Sequence, residues 1–476
     1  MLFAAAEMLA VLVFTGGCYG LGRLVTALVS AENPLGAALA APLGAALLAV
    51  ELWTAGALGV PWNRATLLSP PILAMVMGRH KVVRAITMDA IGVRRWWVAG
   101  RGDPLGRETV LALCALFTGL CLYGLVVQPL QAPDAVAIWM FKAKLFFFQS
   151  RVDLASVATE PGRHLEYPPF YPLIADALYI MVGGLRENLG KAAAFPFVLA
   201  LPVGLMVTLA STLGRRLAGL FTLVAVSSPL CLSQVYISGF LGYADYAQGV
   251  AIVLALGCLY RAETSRAPGD YGVALLAAGL TAMIKQEGMV LALAVVTVCA
   301  FRLARAGVAR RRSGAVVAAA ALLPALTWKV IAARNGYHTD LFAATDIQRL
   351  LGPALIGRAI LILGFAVHVT SFLNDFGWIL VGAVLAAELL VLRRGRETSV
   401  VAAVLFVQLA AYFLAYLFTP YPLEWHLSTS FDRVVLQLVP SLVLLLALAV
   451  RPVGRDDGGR NGAGLTAPAY GSSKGI

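Results

Sequence analysis

Four separated segments carry the acidic, basic, imidazole and aromatic side chains that could do chemistry in this chain. Such side chains are scarce, because the chain is 60% hydrophobic and only 13% charged. The candidate residues are Asp134, Trp139, Lys142, Lys144, His164, Glu166 and Tyr167 in the segment 128–172, then Asp245, then Lys285 and Glu287, and finally Trp425, His426 and Arg433. An exposed carboxylate can take a proton from an acceptor hydroxyl as it attacks a sugar carbon, and amines and guanidinium groups can pair with phosphate oxygens.

The charged candidates each have a structural alternative. Asp134 follows Pro133 and is either a helix N-cap or a general base. Asp245 lies between two tyrosines and is either a cap or part of a site. Lys285 is the best candidate to bind a lipid phosphate, unless it forms an internal ion pair with Glu287 or Asp245. Lys142 and Lys144 contact either substrate or lipid headgroups.

The aromatic and imidazole candidates are similarly divided. Trp139 and Trp425 suit either the interfacial belt of a membrane protein or, at a site, contact with a sugar. His164, Glu166 and Tyr167 precede two prolines that lock an extended turn, which brings the three side chains close together. His426 and Arg433 are candidates for a second phosphate oxygen.

The elements that must position these residues are membrane helices. Mean hydropathy is +0.82, and the apolar runs are long and uninterrupted, which predicts an all-α, polytopic helical membrane protein and excludes an ordinary soluble one. The net charge of +12 comes from basic residues in short loops, so the positive-inside rule accounts for it without nucleic acid. All six cysteines lie in apolar runs and are predicted to pack as small hydrophobic residues.

The apolar blocks predict about 13 transmembrane helices. They lie at roughly 2–29, 35–59, 65–79, 108–128, 192–213, 217–235, 246–261, 271–284, 288–301, 314–332, 377–392, 399–419 and 434–450. Placing the basic loops in the cytoplasm requires 170–184 and 353–372 to lie at the outer interface. The candidate residues then share the outer face, and 421–433 is the last outer loop.

Three regions follow from this topology. Residues 1–107 form N-terminal helices and a basic cytoplasmic loop, 108–450 form the catalytic membrane domain with an extracytoplasmic loop at 129–190, and 451–476 form a disordered tail. Neither a Walker A loop nor an HExxH or CxxC motif occurs.

The chain resembles the GT-C superfamily of integral membrane glycosyltransferases over about 105–435. The closest branch is the bacterial one related to protein O-mannosyltransferases and the lipid A aminoarabinose transferase. The resemblance rests on Asp134-Ala135-x-x-x-Trp139 with Lys142-Ala143-Lys144, His164-x-x-Tyr167-Pro168-Pro169, Gly242-Tyr243-x-Asp245, Lys285-Gln286-Glu287-Gly288, and Glu424 to Ser430 with Arg433.

The resemblance implies an inverting transfer of a sugar from a polyprenyl-phosphate carrier to a lipid, glycan or protein acceptor. This would occur at the periplasmic face of a bacterial inner membrane. Asp134 would be the catalytic base, and Lys285 with Arg433 would hold the carrier phosphate. Asp134 and Asp245 would be the ligands of a divalent metal, if one is used. Ala135 argues against this metal, because many members carry a second acidic residue there.

Three other functions compete with this one. A lipid-linked glycan polymerase or ligase would use similar substrates with larger acceptors. A transporter or flippase of lipid-linked sugars should show polar groups along a path to the cytoplasm, whereas the predicted helix interiors are nearly free of charge. An assembly subunit without chemistry would use Asp134 only as a cap.

Overall fold

The computed structural model describes residues 2–99, a scattered subset of 108–124, and residues 129–154, 164–227, 242–337, 354–372 and 395–450. These residues form helices and turns without a β-strand, which confirms the predicted all-helical class for this part of the chain. The helices are α1 (Leu2–Ser30), α2 (Pro34–Ala57), α3 (Arg64–Met77), α4 (Arg79–Ala99), α5 (Met140–Gln149), α6 (Phe170–Val182), α7 (Phe195–Leu213), α8 (Arg215–Val226), α9 (Ala244–Ser265), α10 (Pro268–Ile284), α11 (Gly288–Arg305), α12 (Val308–Arg334), α13 (Ala354–Phe372), α14 (Arg396–Phe418) and α15 (Leu423–Ala449).

Seven stretches of the described chain are helical, long and apolar enough to cross a membrane. They are Ala5–Ser30, Pro34–Ala57, Lys191–Leu213, Gly288–Arg305, Val308–Arg334, Arg396–Phe418 and Leu423–Ala449. The protein is therefore a multi-pass helical membrane protein. The predicted span at 377–392, most of 108–128, part of 217–235 and the predicted disordered tail 451–476 lie outside the described residues.

The last predicted outer loop is wrong, because α15 begins at Leu423 and runs without a break to Ala449. Hydropathy marked only its apolar part from 434. The polar part from 423 to 433 contains neither glycine nor proline, so nothing in it interrupts a helix once Pro422 has ended the preceding turn. Trp425, His426 and Arg433 consequently project from the first turns of a helix.

Helix α6 differs from the predicted helix at the outer interface. Every residue from Phe170 to Ile180 is buried, and α6 packs against α2 and α5. Other helices enclose α6 on all sides, including its one carboxylate, Asp176, which is fully buried. By contrast, α13 exposes Ile356, Ile360 and Leu363 and packs against α14 and α15.

Helix α9 forms the centre of the bundle and joins its two ends. It is buried from Ala244 to Tyr260 and packs against α7, α10, α14 and α15. At one end Asp245 contacts Lys285, and at the other Glu263 contacts Arg302. The approach to α15 depends on Gly249, because a Cβ there would lie 2.9 Å from the Cα of Gln437.

The two ends of the bundle differ in chemistry. At the Glu263 end, Asn33 donates to Asp270, and Arg266 pairs with Glu397. Buried Arg23 ties α1 to Asp89 of basic helix α4 at this same end, because α1 and α2 turn there. The opposite end holds Asp245, Lys285 and the other polar groups described below.

Candidate functional site

A cavity of about 1370 Å³ opens at the Asp245 end of the bundle. It is lined by residues of the turn before α5, the turn before α6, the starts of α9 and α15, the α10–α11 link, and α11, α12 and α14. The predicted site residues that line it are Asp134, Trp139, His164, Tyr167, Asp245, Lys285, Glu287, Trp425, His426 and Arg433. The structure thus brings together most of the residues that the sequence singled out.

Asp134 and Arg433 form an ion pair across the cavity. A terminal nitrogen of Arg433 donates to Oδ2 of Asp134, and the guanidinium lies 5.4 Å from the ring centre of Tyr243. The Tyr243 hydroxyl accepts from the backbone N–H of Asp134 at 3.3 Å. The Asp134 side chain makes no capping hydrogen bond to the π-helical turn Ala135–Trp139 that follows it. The N-cap alternative is therefore wrong for Asp134.

Lys285 lies between two carboxylates. Its Nζ is 3.0 Å from Oδ1 of Asp245 and 2.7 Å from Oε1 of Glu287. Lys285 has extended backbone after the end of α10, and the next helix starts at Gly288, so the link is very short. Burial lowers the pKa of Lys285, but the attraction of the two carboxylates outweighs it and holds the pKa above its ordinary value. The sequence left two alternatives for Lys285, an internal ion pair or phosphate binding. The structure contains the ion pair.

Asp245 is held by a second partner inside the bundle. The side-chain amide of Gln437 donates to Oδ1 of Asp245 at 2.7 Å, and the Tyr412 hydroxyl donates to Oε1 of Gln437. The network satisfies a buried carboxylate with one ammonium and one amide. Asp245 therefore does not cap α9, although it lies in that helix's first turn.

Three stacked rings form one wall of the cavity. The Tyr167 ring stacks on Trp139 at 5.4 Å and on His164 at 5.0 Å, with interplanar angles of 4° and 14°. Lys285 Nζ lies 5.5 Å from the Tyr167 ring centre, a cation–π contact. This wall offers an aromatic surface beside the charged cluster.

The turn that carries the stack is held from two sides. His164 has a φ of 48°, and its carbonyl accepts from Nζ of Lys142 at 2.6 Å. The Glu166 carbonyl accepts from the Trp328 indole at 3.0 Å, and its carboxylate lies 3.2 Å from Nδ1 of His164. Lys142 and Glu166 are buried behind the wall and do not line the cavity. They support the site from outside it.

Lys142 has an unusual environment for an amine. It is only 1% exposed, and burial lowers its pKa to about 7, against a smaller opposing effect of Glu166. Lys144, in contrast, pairs with Glu187 at the protein surface and does not line the cavity. Neither lysine lines the cavity, and their contact with either substrate or lipid headgroups stays a prediction.

His426 and Trp425 lie at the rim. Nδ1 of His426 is 2.8 Å from the Thr419 hydroxyl, and the His426 ring is 5.0 Å from that of Tyr416. Trp425 is 54% exposed and lies beside Tyr421. Both residues have room to contact a ligand that enters from this side.

The side of the cavity along α14 is apolar. Phe406, Val407, Ala410 and Leu414 line it, and Phe406 is 69% exposed on the protein surface. Since α14 is long and apolar enough to cross a membrane, this exposed apolar side suits contact with the hydrocarbon of a bilayer. The cavity therefore joins a polar cluster to an apolar wall.

Sequence reasoning missed Lys329, Gln437 and Tyr412. Each lies within a predicted apolar span, and hydropathy alone does not single it out. For Lys329 a signal was present, because a charged residue in such a segment is itself an indication of function. Lys329 of α12 lines the cavity, and its Nζ donates to Oε1 of Gln286 at 3.0 Å.

The carboxylates do not fit a shared metal. Among the described residues, no three His, Cys, Asp or Glu side chains come together as metal ligands. Asp134 is paired with Arg433, and Asp245 with Lys285 and Gln437, so the two proposed ligands are held by separate cationic partners. No step is derived through a metal.

Comparison with family models, curated proteins and solved structures finds no match to this chain.

Proposed function

We propose that this protein is a membrane glycosyltransferase of the GT-C type, which moves a sugar from a polyprenyl-phosphate carrier to a lipid, glycan or protein acceptor. The observation that carries the proposal is the cavity that combines Asp134, Arg433 and the aromatic stack with the apolar wall of α14. A polyprenyl-phosphate sugar has one part to match each of these: a phosphate for Arg433, a sugar ring for the aromatic stack, and an isoprenoid chain for the apolar wall. In this proposal the cavity opens at the outer face of a bacterial inner membrane.

The chemistry assigned to the site is an inverting displacement. The acceptor hydroxyl oxygen forms a bond to the anomeric carbon while the bond from that carbon to the phosphate oxygen breaks. Asp134 takes the hydroxyl proton, and the electron pair of the broken bond leaves on the carrier phosphate. A guanidinium close to that phosphate stabilises the leaving group without a nucleotide or soluble cofactor.

The pairing of Asp134 with Arg433 sets an order on these steps. While Oδ2 of Asp134 accepts from Arg433, that oxygen is occupied by the hydrogen bond. In this proposal the phosphate that enters the cavity takes the Arg433 nitrogen that donates to Asp134, and so displaces the carboxylate. Donor binding therefore frees the base, and the acceptor reacts second.

The remaining residues have supporting roles in this proposal. Trp139, His164 and Tyr167 form the surface against which the sugar packs, and Trp425 and His426 contact substrate at the rim. Lys285 holds Asp245 and Glu287 together beside the reacting groups.

The experiment is transfer from a purified polyprenyl-phosphate sugar by the full-length protein in liposomes, compared with Asp134→Asn. The variant is expected to lose at least about a hundredfold in transfer rate while it still binds the donor. Glu187→Gln is the matched control, since Glu187 is exposed and lies outside the cavity. Transfer by Asp134→Asn at the wild-type rate would remove the base assignment. If wild-type protein instead moves the intact donor across the bilayer, the flippase alternative replaces the proposal.

A further inference from the structure

The three lysine and arginine side chains that line the cavity differ in how far their charge is already matched. Arg433 is paired with Asp134, and Lys285 with both Asp245 and Glu287. An anion that approaches either of them must compete with a carboxylate already in contact. The two residues with the clearest sequence signals therefore have little unmatched charge.

Lys329 is different, because its hydrogen-bond partner is neutral. Its Nζ donates to the amide oxygen of Gln286 at 3.0 Å, and within the described ranges no carboxylate oxygen lies at ion-pair distance from it. The amide oxygen orients the ammonium without cancelling its charge, and Glu166 and Glu287 act on that charge from beyond ion-pair distance. An ammonium has three N–H donors, so two remain for a ligand.

Its surroundings fix the position of this amine. Trp328, the preceding residue, is 1% exposed and donates its indole N–H to the Glu166 carbonyl, which anchors this turn of α12 to the aromatic wall. Gln286 lies between Lys285 and Glu287 in the short link before α11. The Lys329–Gln286 pair is thus built from two rigid elements, and such a pre-organised donor binds an anion with a smaller ordering cost than a free surface lysine.

We infer that Lys329, oriented by Gln286, is the cavity's binding residue for an anionic group of the substrate, a phosphate or a carboxylate. The inference rests on the proposed function only for what the substrate is. Within that function, the anion is either the carrier phosphate or an acidic group on the transferred sugar or the acceptor. Both sources present oxygens that accept from the two remaining ammonium donors.

Two variants test the inference on the full-length protein in nanodiscs. Lys329→Gln removes the charge, and Gln286→Glu keeps the lysine but gives it a carboxylate partner. Both are expected to weaken binding of the anionic ligand by about tenfold or more, since a charge-assisted hydrogen bond is lost. Lys329→Arg keeps the charge and is expected to retain most of the affinity. Lys144→Gln, a surface lysine paired with Glu187, is the matched control and should bind as wild type.

Two pairs of probes separate the sources of the anion. The first is undecaprenyl phosphate against undecaprenol, and the second is glucuronate against glucose. A loss confined to undecaprenyl phosphate assigns Lys329 to the carrier phosphate, and a loss confined to glucuronate assigns it to an acidic sugar. If both variants bind undecaprenyl phosphate and glucuronate as tightly as wild type does, the inference is wrong. A loss shared by the uncharged probes would also overturn it, because it would indicate a disturbed fold.

Transfer of sugar is measured in parallel on the same preparations. Anion binding that depends on Lys329 in a protein without transfer activity would overturn the proposed function and leave the inference standing. If transfer is present and Lys329→Gln changes neither the transfer rate nor the binding of either anion, the inference is overturned and the proposed function stands.

Discussion

Asp134 and Arg433 lie 299 positions apart in the chain and contact each other directly in the cavity. In the proposed reaction both have to change partners, since the base must be free and the guanidinium must meet a phosphate. Removing Arg433 therefore has two opposed effects: it frees the carboxylate and it takes away the leaving-group contact. The larger of the two effects decides whether removing Arg433 raises or lowers the transfer rate.

We expect the loss of the phosphate contact to dominate. Arg433→Gln should lower transfer by about a hundredfold and weaken donor binding, whereas Arg433→Lys should keep part of both, because a lysine supplies charge but not the forked geometry. The measurement is the initial rate as a function of donor concentration. Arg151→Gln is the control, since Arg151 is 64% exposed and pairs only locally with Asp153. A variant Arg433→Gln that transfers faster than wild type would show that the ion pair chiefly inhibits.

Lys142 makes stability depend on pH at one buried position. Burial lowers its pKa to about 7, below the value of about 10.4 for a lysine in an unfolded chain. Between these values the unfolded chain binds more protons than the folded one, so the free energy of unfolding rises with pH across that window. Below about pH 7 both states are protonated and the effect is constant.

The test compares wild type with Lys142→Met in detergent between about pH 7 and about pH 9.5. Wild type should gain more in melting temperature over this interval than the variant, which has no amine to deprotonate. The control Lys144→Met should rise in parallel with wild type, because the Lys144 side chain is partly exposed and ion-paired. Parallel curves for Lys142→Met and wild type would contradict the lowered pKa.

At the scale of the elements, the short link between α10 and α11 positions Lys285, Gln286 and Glu287 together. The link can turn this tightly only because position 288 has no side chain: a Cβ on Gly288 would lie 2.0 Å from the Thr281 carbonyl oxygen and 2.5 Å from Nε2 of Gln248. The first of these atoms belongs to the backbone and cannot turn aside. The charged cluster therefore depends on one residue without a side chain.

We expect Gly288→Ala to displace this link, lower the melting temperature and reduce transfer, because the start of α11 must shift relative to α9 and α10. Gly92→Ala is the matched control. Gly92 lies in exposed helix α4, where a Cβ would meet nothing within 4 Å, so alanine should leave stability equal or higher by up to about 1 kcal/mol. The two melting temperatures and the two transfer rates are compared directly. Equal behaviour of the two variants would show that the link relaxes freely.

The sequence predicted the helices well where apolar residues run continuously and less well where polar residues continue a helix. The predicted spans at 35–59 and 192–213 agree closely with helices of the structure. Hydropathy predicts a loop for the polar start of α15, because it responds to side-chain polarity and not to helix propensity.

The site followed a similar division. The grouping of Asp134, Asp245, Lys285 and Arg433 was predicted from their shared side of the membrane, and these residues do line one cavity. Their pairing was not predictable, because it depends on side-chain positions between segments far apart in sequence. Lys329 was hidden inside an apolar run that reads as a span in its own right.

For the whole molecule, the contacts divide the bundle into a basic end and a cavity end. Arg84 of α4 approaches Glu32 at the turn between α1 and α2, and Arg302 of α11 pairs with Glu263, so basic residues of separate helices share one end. The start of α15 lies at the other end with the cavity. The positive-inside rule predicts that the basic end faces the cytoplasm and that the cavity opens at the outer face.

This orientation is tested by two exposed positions at opposite ends. Glu424→Cys, at the exposed start of α15, should react with a membrane-impermeant maleimide in intact spheroplasts, whereas Arg84→Cys should react only after the membrane is permeabilised. Wild-type protein gives the background of its six cysteines, of which the four in the described part of the chain, Cys18, Cys121, Cys258 and Cys299, are buried. Labelling of both variants from outside would place α4 and the cavity on one side and contradict the separation of ends. Labelling of Arg84→Cys alone from outside would show that the protein has the inverted orientation. The cavity would then open to the cytoplasm, where a donor presented at the outer face could not reach it.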